Sequence, residues 1–143
     1  MIMNSSNSKA LTREKILAAP KKNYMNDAQL AFFRELLLEL HETTLLRIQE
    51  AREQMRQPHD CSDDSDLASW QEQCNIALRI VDREQKLLPK IKDALERIRL
   101  GSYGYCDESG EEIGIPRLLA RPTAEYAFDV KALKEIKEDH YRD

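Results

Sequence analysis

Residues 57–68 read QPHDCSDDSDLA, and this stretch decides the fold. It is acidic, it has no large apolar residue before Leu67, and it separates two long segments that each carry an apolar repeat. Pro58 marks the break between them, because the residue before a proline is pushed out of the helical region. We therefore predict that 57–68 forms the acidic tip of a helical hairpin.

The two flanking segments have the alternating three- and four-residue spacing of a coiled-coil seam. Asn26 and Asp27 are placed to cap the first helix, whose seam turns polar toward the tip. Its seam residues are Leu30, Phe33, Leu37, Leu40, Thr44, Arg47 and Ala51. The return seam consists of Trp70, Cys74, Ala77, Val81, Glu84, Leu88, Ile91, Leu95 and Ile98. Two such helices joined by a short turn pack antiparallel, so Glu84 can pair with Arg47. Pro89 lies inside the return helix and predicts a kink there.

The regions outside the hairpin have a different composition. The N-terminal region is polar, with one short apolar patch, and we expect a mobile arm with one weakly formed turn. Gly101 is expected to end the return helix, and a helical pattern resumes at Ala124 after a stretch rich in turn residues. The fold predicted is mainly α, a long antiparallel coiled-coil hairpin on a small globular base. The expected domains are the arm at 1–24, the coiled coil at 25–100 and a C-terminal module with a helix at 101–143.

Composition excludes several classes of protein. The net charge of −4 leaves no broad basic surface, so we expect no direct DNA binding. No apolar run approaches the roughly 18 residues of a membrane span, and the N-terminus lacks an apolar signal core, so a cytoplasmic protein is expected. We also expect a monomer. Three cysteines, an odd number, predict free thiols. His41, His59 and His140 are scattered and form no triad, so no enzymatic activity is expected.

The chain resembles the DksA/TraR family of bacterial regulators that bind RNA polymerase. The similar segments run in family order from Tyr24 to Lys137 and include YMNDAQLAFFR, VDREQKLL, GYC, EIGIPRL and ARPTAE. The resemblance implies a coiled coil that enters the polymerase secondary channel and a tip that weakens open promoter complexes. The tip positions are Asp63, Asp66 and Ala68. It also implies that the effector ppGpp binds in a pocket shared with polymerase, and the matching candidates are Lys90, Arg121, Lys131, Arg83 and Lys86.

The family module holds zinc between two CxxC pairs, and here the resemblance breaks down. The four matching positions read Cys106, Ser109, Ala127 and Val130. One thiolate cannot hold a structural zinc, because Ser109 is a poor ligand and the other two side chains offer no donor atom. The sequence therefore resembles a zinc-independent paralogue with a degenerate zinc-ribbon-like module, no bound cofactor and ppGpp as effector.

Two other functions fit a hairpin with an acidic tip. In a transcript cleavage factor of the Gre type, tip carboxylates hold a second Mg²⁺ for the hydrolysis of RNA by the polymerase. In a coiled-coil adaptor unrelated to polymerase, the tip is only a solvated turn in which Asp63, Ser65 or Asp66 caps the return helix. A calcium-binding EF-hand is disfavoured, because Ser65 stands where that loop requires glycine.

Overall fold

The computed structural model describes residues 11–56, 63–127 and 135–136. The described residues include four α-helices: α1 (Arg13–Ala18), α2 (Asp27–Arg56), α3 (Asp64–Leu100) and α4 (Ile115–Ala120). A 3₁₀ turn covers Lys21–Asn23. Tyr105 and Glu112 form an isolated antiparallel bridge, and these parts of the chain contain no strand. The predicted mainly α fold, with two long helices that pack together, is confirmed.

Helix α2 begins at a reciprocal cap. The Gln29 backbone N–H donates to Asn26 Oδ1 at 2.9 Å, and the Met25 N–H donates to Gln29 Oε1 at 2.9 Å. One free donor of the first helical turn is thus satisfied by the cap, and the Gln29 side chain reaches back to the residue before the cap, an arrangement similar to a capping box. This arrangement explains why Gln29, a polar residue, is only 2% exposed. The prediction that Asn26 caps the first helix is confirmed.

Helix α3 has a defined start and a defined end. At its start the Asp66 N–H donates to Asp63 Oδ1 at 2.8 Å. At its end Gly101, with φ 84°, donates to Ile98 O, and the Ser102 N–H donates to Arg97 O. This is the Schellman pattern, in which glycine adopts the left-handed conformation without a Cβ penalty. Gly101 therefore ends the helix as predicted.

Pro89 lies within α3, which continues from Asp64 to Leu100. Proline lacks the N–H that would bond to the preceding turn, so one backbone hydrogen bond of the helix is missing there. The kink expected at this position stays a prediction. The expected break at Pro58 falls outside the described residues, and α2 ends at Arg56.

The chain divides into two compact units. One unit, the base, comprises the described parts of Met1–Leu37 and Asp93–Asp143, and the other, the rod, comprises Leu38–Lys92. Each long helix therefore begins or ends in the base. The boundary of the base lies inside α2 and α3, whereas the sequence suggested a boundary at their ends.

The seam of the rod follows the predicted spacing with one correction. The buried residues are Thr44, Ile48 and Ala51 on α2 and Ala77, Glu84 and Ile91 on α3. Ile48 is 5% exposed, whereas the neighbouring Arg47 side chain, which the sequence placed in the seam, is 52% exposed. An isoleucine gains more by burial than an arginine, whose charged group stays in water. Toward the tip the buried residues are the alanines, which agrees with the predicted weakening of the seam.

Aromatic side chains fill the base. Tyr103 is fully buried, its ring lies 5.6 Å from that of Phe33, and its hydroxyl donates to Pro122 O at 2.7 Å. The Tyr24 hydroxyl donates to Gly104 O and accepts from the Gly114 N–H at 2.9 Å. Burial raises the pKa of both tyrosines, so both hydroxyls stay protonated and able to donate.

Two parts of the base differ from the sequence prediction. In the region expected to be a mobile arm, α1 packs on α4, Ile16 is 1% exposed, and Arg13 Nη2 donates to Leu119 O at 3.5 Å. Burial of Ile16 supplies stability that the short helix lacks alone. In addition, residues 124–127 are not helical. Their carbonyl groups accept hydrogen bonds from elsewhere in the base, among them Glu125 O from the Asp107 N–H at 2.8 Å. The expected C-terminal helix lies mostly outside the described residues.

Candidate functional site

The described part of the acidic tip, residues 63–68, is exposed and includes the first turn of α3. The candidates Asp63, Asp66 and Ala68 are all exposed. Asp63 caps the helix, so the interpretation of this residue as a capping aspartate is confirmed. Asp64 and Asp66 lie in the first turn, where the positive end of the helix dipole stabilises carboxylates. The result is a concentrated negative charge held by a regular helix end and accessible to a partner.

Three of the candidate cations lie on one face of α3 in the rod. Arg83, Lys86 and Lys90 are exposed and follow helical spacings of three and four residues. They extend along about 10 Å of helix. Two of them already contact acids: Lys86 Nζ lies 3.0 Å from Asp82 Oδ2, and Arg83 Nη2 lies 3.4 Å from Glu84 Oε1.

Glu84 lies in the seam, as the sequence predicted. It also makes a second contact, with Arg83, that the sequence did not predict. Arg47 Nη1 lies 3.7 Å from Glu84 Oε1, which confirms the predicted pair between the two helices. The same oxygen also contacts Arg83, so one buried carboxylate serves two guanidinium groups. Sequence spacing did not indicate that contact, because adjacent residues on a helix do not face each other. The Asp82–Lys86 pair, by contrast, has the i,i+4 spacing that a sequence reveals.

The two remaining cation candidates are not in the rod. Arg121 is exposed in the base, where it ends α4 and its N–H donates to Arg117 O at 2.8 Å. Lys131 lies outside the described residues. The structure therefore brings together the three cations on α3, and the grouping of all five stays a prediction.

The first of the four family metal positions is a buried thiol in a tight turn. Cys106 is 3% exposed, its N–H donates to Glu111 O at 2.7 Å, and the Gly110 N–H donates to its carbonyl at 2.9 Å. Burial acts to raise the pKa of the thiol, but hydrogen bonds from the Ser109 hydroxyl and from the N–H groups of Ala127, Ser109 and Glu108 outweigh it. Together they lower the pKa from 9.0 to about 7. The turn thus surrounds the sulfur with N–H donors, as a thiolate ligand requires.

The donors around Cys106 do not fit zinc. The second position is the Ser109 hydroxyl, which is engaged with Cys106 and accepts from the Glu111 N–H at 3.3 Å. Ala127 has no ligating atom, and Val130 lies outside the described residues and has none either. Among the described residues no group of three or more His, Cys, Asp and Glu side chains could hold a metal ion. A structural zinc needs four ligands of this kind. Cys74 and Cys106 are free thiols, as predicted for the cysteines.

The base also has an open cleft of about 280 Å³. It is lined by Asp93, Glu96, Arg97, Asp107 and Glu125. Four carboxylates around one guanidinium repel anions, so this cleft does not suit a polyphosphate. None of the helices in the described part of the chain is long and apolar enough to cross a membrane.

Comparison with known proteins gives consistent matches. The family described as DnaK suppressor protein DksA, N-terminal domain, matches residues 29–98, and the prokaryotic dksA/traR C4-type zinc finger matches residues 101–135. The RNA polymerase-binding transcription factor DksA of Haemophilus influenzae is 40% identical over 121 residues, which cover 82% of this chain and 81% of the relative. DksA of Escherichia coli strain K12 is 39% identical over 120 residues, covering 83% and 80%.

A solved structure shows the same fold. Transcription factor DksA2 from Pseudomonas aeruginosa is 44% identical, with a TM-score of 0.72, and the match covers 90% of this chain and 100% of that one. Two long packed helices, the second of which starts with exposed carboxylates, and a C-terminal segment that matches the family's second module define the class of protein. The chain belongs to the DksA/TraR family.

Proposed function

We propose that this protein regulates transcription by binding RNA polymerase in its secondary channel and destabilising open promoter complexes, without catalysing a reaction itself. One observation carries the proposal: Asp63, Asp66 and Ala68 are exposed at the end of the rod in a chain 40% identical to relatives named RNA polymerase-binding transcription factors. An exposed, charged end on a helical rod suits a narrow channel, because it can reach deep positions that a globular surface cannot.

The proposed mechanism is allosteric. A protein that binds one polymerase state more tightly than another shifts the population toward that state. The tip carboxylates provide this difference in affinity by contacting the polymerase close to its active site. The rod and the base provide most of the contact area. Asp63 also holds the first turn of α3, so it fixes the geometry with which Asp66 is presented.

The nucleotide ppGpp is proposed as an effector that binds at the shared surface. The cations proposed to contact its phosphates are Arg83, Lys86, Lys90, Arg121 and Lys131. The exposed row on α3 supports the proposal, since polyphosphates are bound by several converging cations and guanidinium offers a bidentate fork.

The protein is further proposed to work without zinc. The donor chemistry supports this: a single thiolate at Cys106 is stabilised by hydrogen bonds, and the base core is closed by Tyr24 and Tyr103. These contacts connect separate turns of the base, as a bound metal does in a zinc ribbon. Metal analysis of the purified protein is expected to find no tightly held zinc, and one zinc per chain would contradict this part of the proposal.

The function is tested by run-off transcription from a ribosomal RNA promoter with purified polymerase. The arms contain the protein, ppGpp and a zinc chelator, alone and combined. We expect inhibition by the protein that deepens with ppGpp and does not change with chelator. The absence of any effect would contradict the proposal and favour the adaptor, whereas stimulated transcript cleavage in a stalled complex would favour a factor of the Gre type.

A further inference from the structure

We infer that Glu84 is a positioning residue that holds Arg83 away from phosphates and so sets the ppGpp concentration to which the protein responds. This inference rests on the proposed function, because it concerns the same nucleotide contact. It begins from the geometry of two adjacent residues in the rod.

The contact between Arg83 and Glu84 is unusual for a helix. Side chains at neighbouring helical positions point about 100° apart, so they do not normally meet. Nevertheless Arg83 Nη2 donates to Glu84 Oε1 at 3.4 Å. The Arg83 side chain is 74% exposed, and this contact directs its guanidinium toward Glu84 in the seam. A ligand that approaches from solvent needs the same guanidinium turned outward.

The burial of the Glu84 carboxylate favours its contact with Arg83. The Glu84 side chain is only 5% exposed, and its Oε2 atom is buried and has no hydrogen-bond partner among the described residues. A buried carboxylate depends on nearby cations, since it has lost most of its hydration. Its Oε1 atom has two cations, Arg83 and, at 3.7 Å, Arg47 of the facing helix. Removal of Arg83 leaves the buried charge with Arg47 alone, which opposes binding of a phosphate to Arg83.

The neighbouring pair of Asp82 and Lys86 provides an internal comparison. Lys86 Nζ lies 3.0 Å from Asp82 Oδ2, and both side chains are largely exposed. Water screens such a pair, so it opposes a ligand only weakly. Although its distance is shorter, this pair is expected to matter less than the contact with the buried Glu84.

The experiment measures the lifetime of open complexes on a ribosomal RNA promoter as a function of ppGpp concentration, at a fixed saturating concentration of protein. Each variant is normalised to its own effect without nucleotide. Glu84→Gln keeps the size and one oxygen acceptor, and it is expected to lower the half-maximal ppGpp concentration about fivefold, comparable to one charge–charge interaction through solvent. Asp82→Asn should lower it less than about twofold. Glu53→Gln, an exposed change of equal charge elsewhere on the rod, should not change it.

The variant Arg83→Ala distinguishes release of the Arg83 guanidinium from the general effect of removing a negative charge. Glu84→Gln should give no gain in the Arg83→Ala background, because there is no guanidinium to release. A gain that persists there, an equal gain from Glu53→Gln, or a higher half-maximal concentration for Glu84→Gln would each overturn the inference. The last result would mean that Glu84 aims Arg83 at the ligand. If the wild type inhibits but ignores ppGpp, the nucleotide part of the proposed function fails and the inference with it.

Discussion

Replacement of Gly104 by alanine should destabilise the base more than any comparable glycine change in the described residues. Gly104 is buried, has a φ of 92°, and lies against Met25. A Cβ atom there would be 2.7 Å from Met25 Cγ and 2.8 Å from Met25 Sδ. Both distances are shorter than a carbon atom tolerates, so either the backbone or Met25 must move.

Two costs add at this position. A positive φ costs an alanine about 1–2 kcal/mol. Overpacking of a filled core costs about 1–3 kcal/mol more. The expected loss in the free energy of unfolding is therefore about 2–5 kcal/mol, a large part of the stability of a small protein. Gly110 isolates the first cost, because its φ is 75° and a Cβ atom there would meet nothing within 4 Å.

Urea unfolding followed by far-ultraviolet circular dichroism measures both variants. Gly110→Ala should lose only the backbone term, and Gly104→Ala should lose more by the overpacking term. The double variant Met25→Ala/Gly104→Ala should be more stable than the sum of the single changes predicts, because the crowded atoms are gone. Equal losses for Gly104→Ala and Gly110→Ala would refute the packing argument.

Three further experiments test the acidic tip, the base and the Cys106 thiol. Asp66→Asn should abolish inhibition of the ribosomal promoter while polymerase binding, measured by fluorescence anisotropy, largely remains, because the rod and base are proposed to supply most of the contact area. Tyr24→Phe should lower the free energy of unfolding by about 1–3 kcal/mol, because Gly104 O and Gly114 N lose a buried partner. The Cys106 thiolate, followed by its ultraviolet absorbance, should titrate at a pH of about 7 instead of 9.0. Because the folded pKa is the lower one, the stability from this thiolate is full above pH 9.0 and is lost as pH falls through about 7.

Each of these has a matched control. Asp64→Asn removes an equal charge from the same turn, and inhibition lost equally in both variants would contradict a specific role for Asp66. Tyr105→Phe, which keeps the ring whose centroid lies 5.6 Å from that of Tyr24, controls for loss of a tyrosine hydroxyl in the base. Cys106→Ala should remove the titration near pH 7 and the pH dependence of stability together, and the persistence of either would show that another group is responsible.

Much of the hairpin could be read from the sequence, because its interactions are local or periodic. The cap at Asn26, the stop at Gly101 and the pairing of Arg47 with Glu84 all follow from rules of spacing and residue type. The sequence prediction placed Arg47 in the seam instead of Ile48, because both positions fit the spacing equally well and only burial distinguishes them.

The base was harder to predict because its contacts join distant parts of the chain. Nothing near Ile16 in sequence indicates that α4 covers it. Residues 124–127 have a helical pattern, but the carbonyls of Ala124, Glu125 and Tyr126 accept tertiary hydrogen bonds. The candidate site is divided in the same way. The resemblance selected the tip positions and the cations, and helical spacing accounts for the common face of Arg83, Lys86 and Lys90 on α3, whereas the N–H groups around Cys106 come from two separate segments.

The base is held together by contacts between residues that precede the rod and residues that follow it, which has a consequence for biosynthesis. Tyr24 bonds to residues 80 and 90 positions away, and Arg13 to one 106 positions away. A ribosome makes the early partners long before the late ones, so the rod can fold as a local hairpin while the base must wait for nearly the whole chain. The rod is inserted in sequence between the two halves of the base. It can therefore be exchanged as a cassette between relatives, at Leu38 and Lys92, without breaking any of these three long-range bonds.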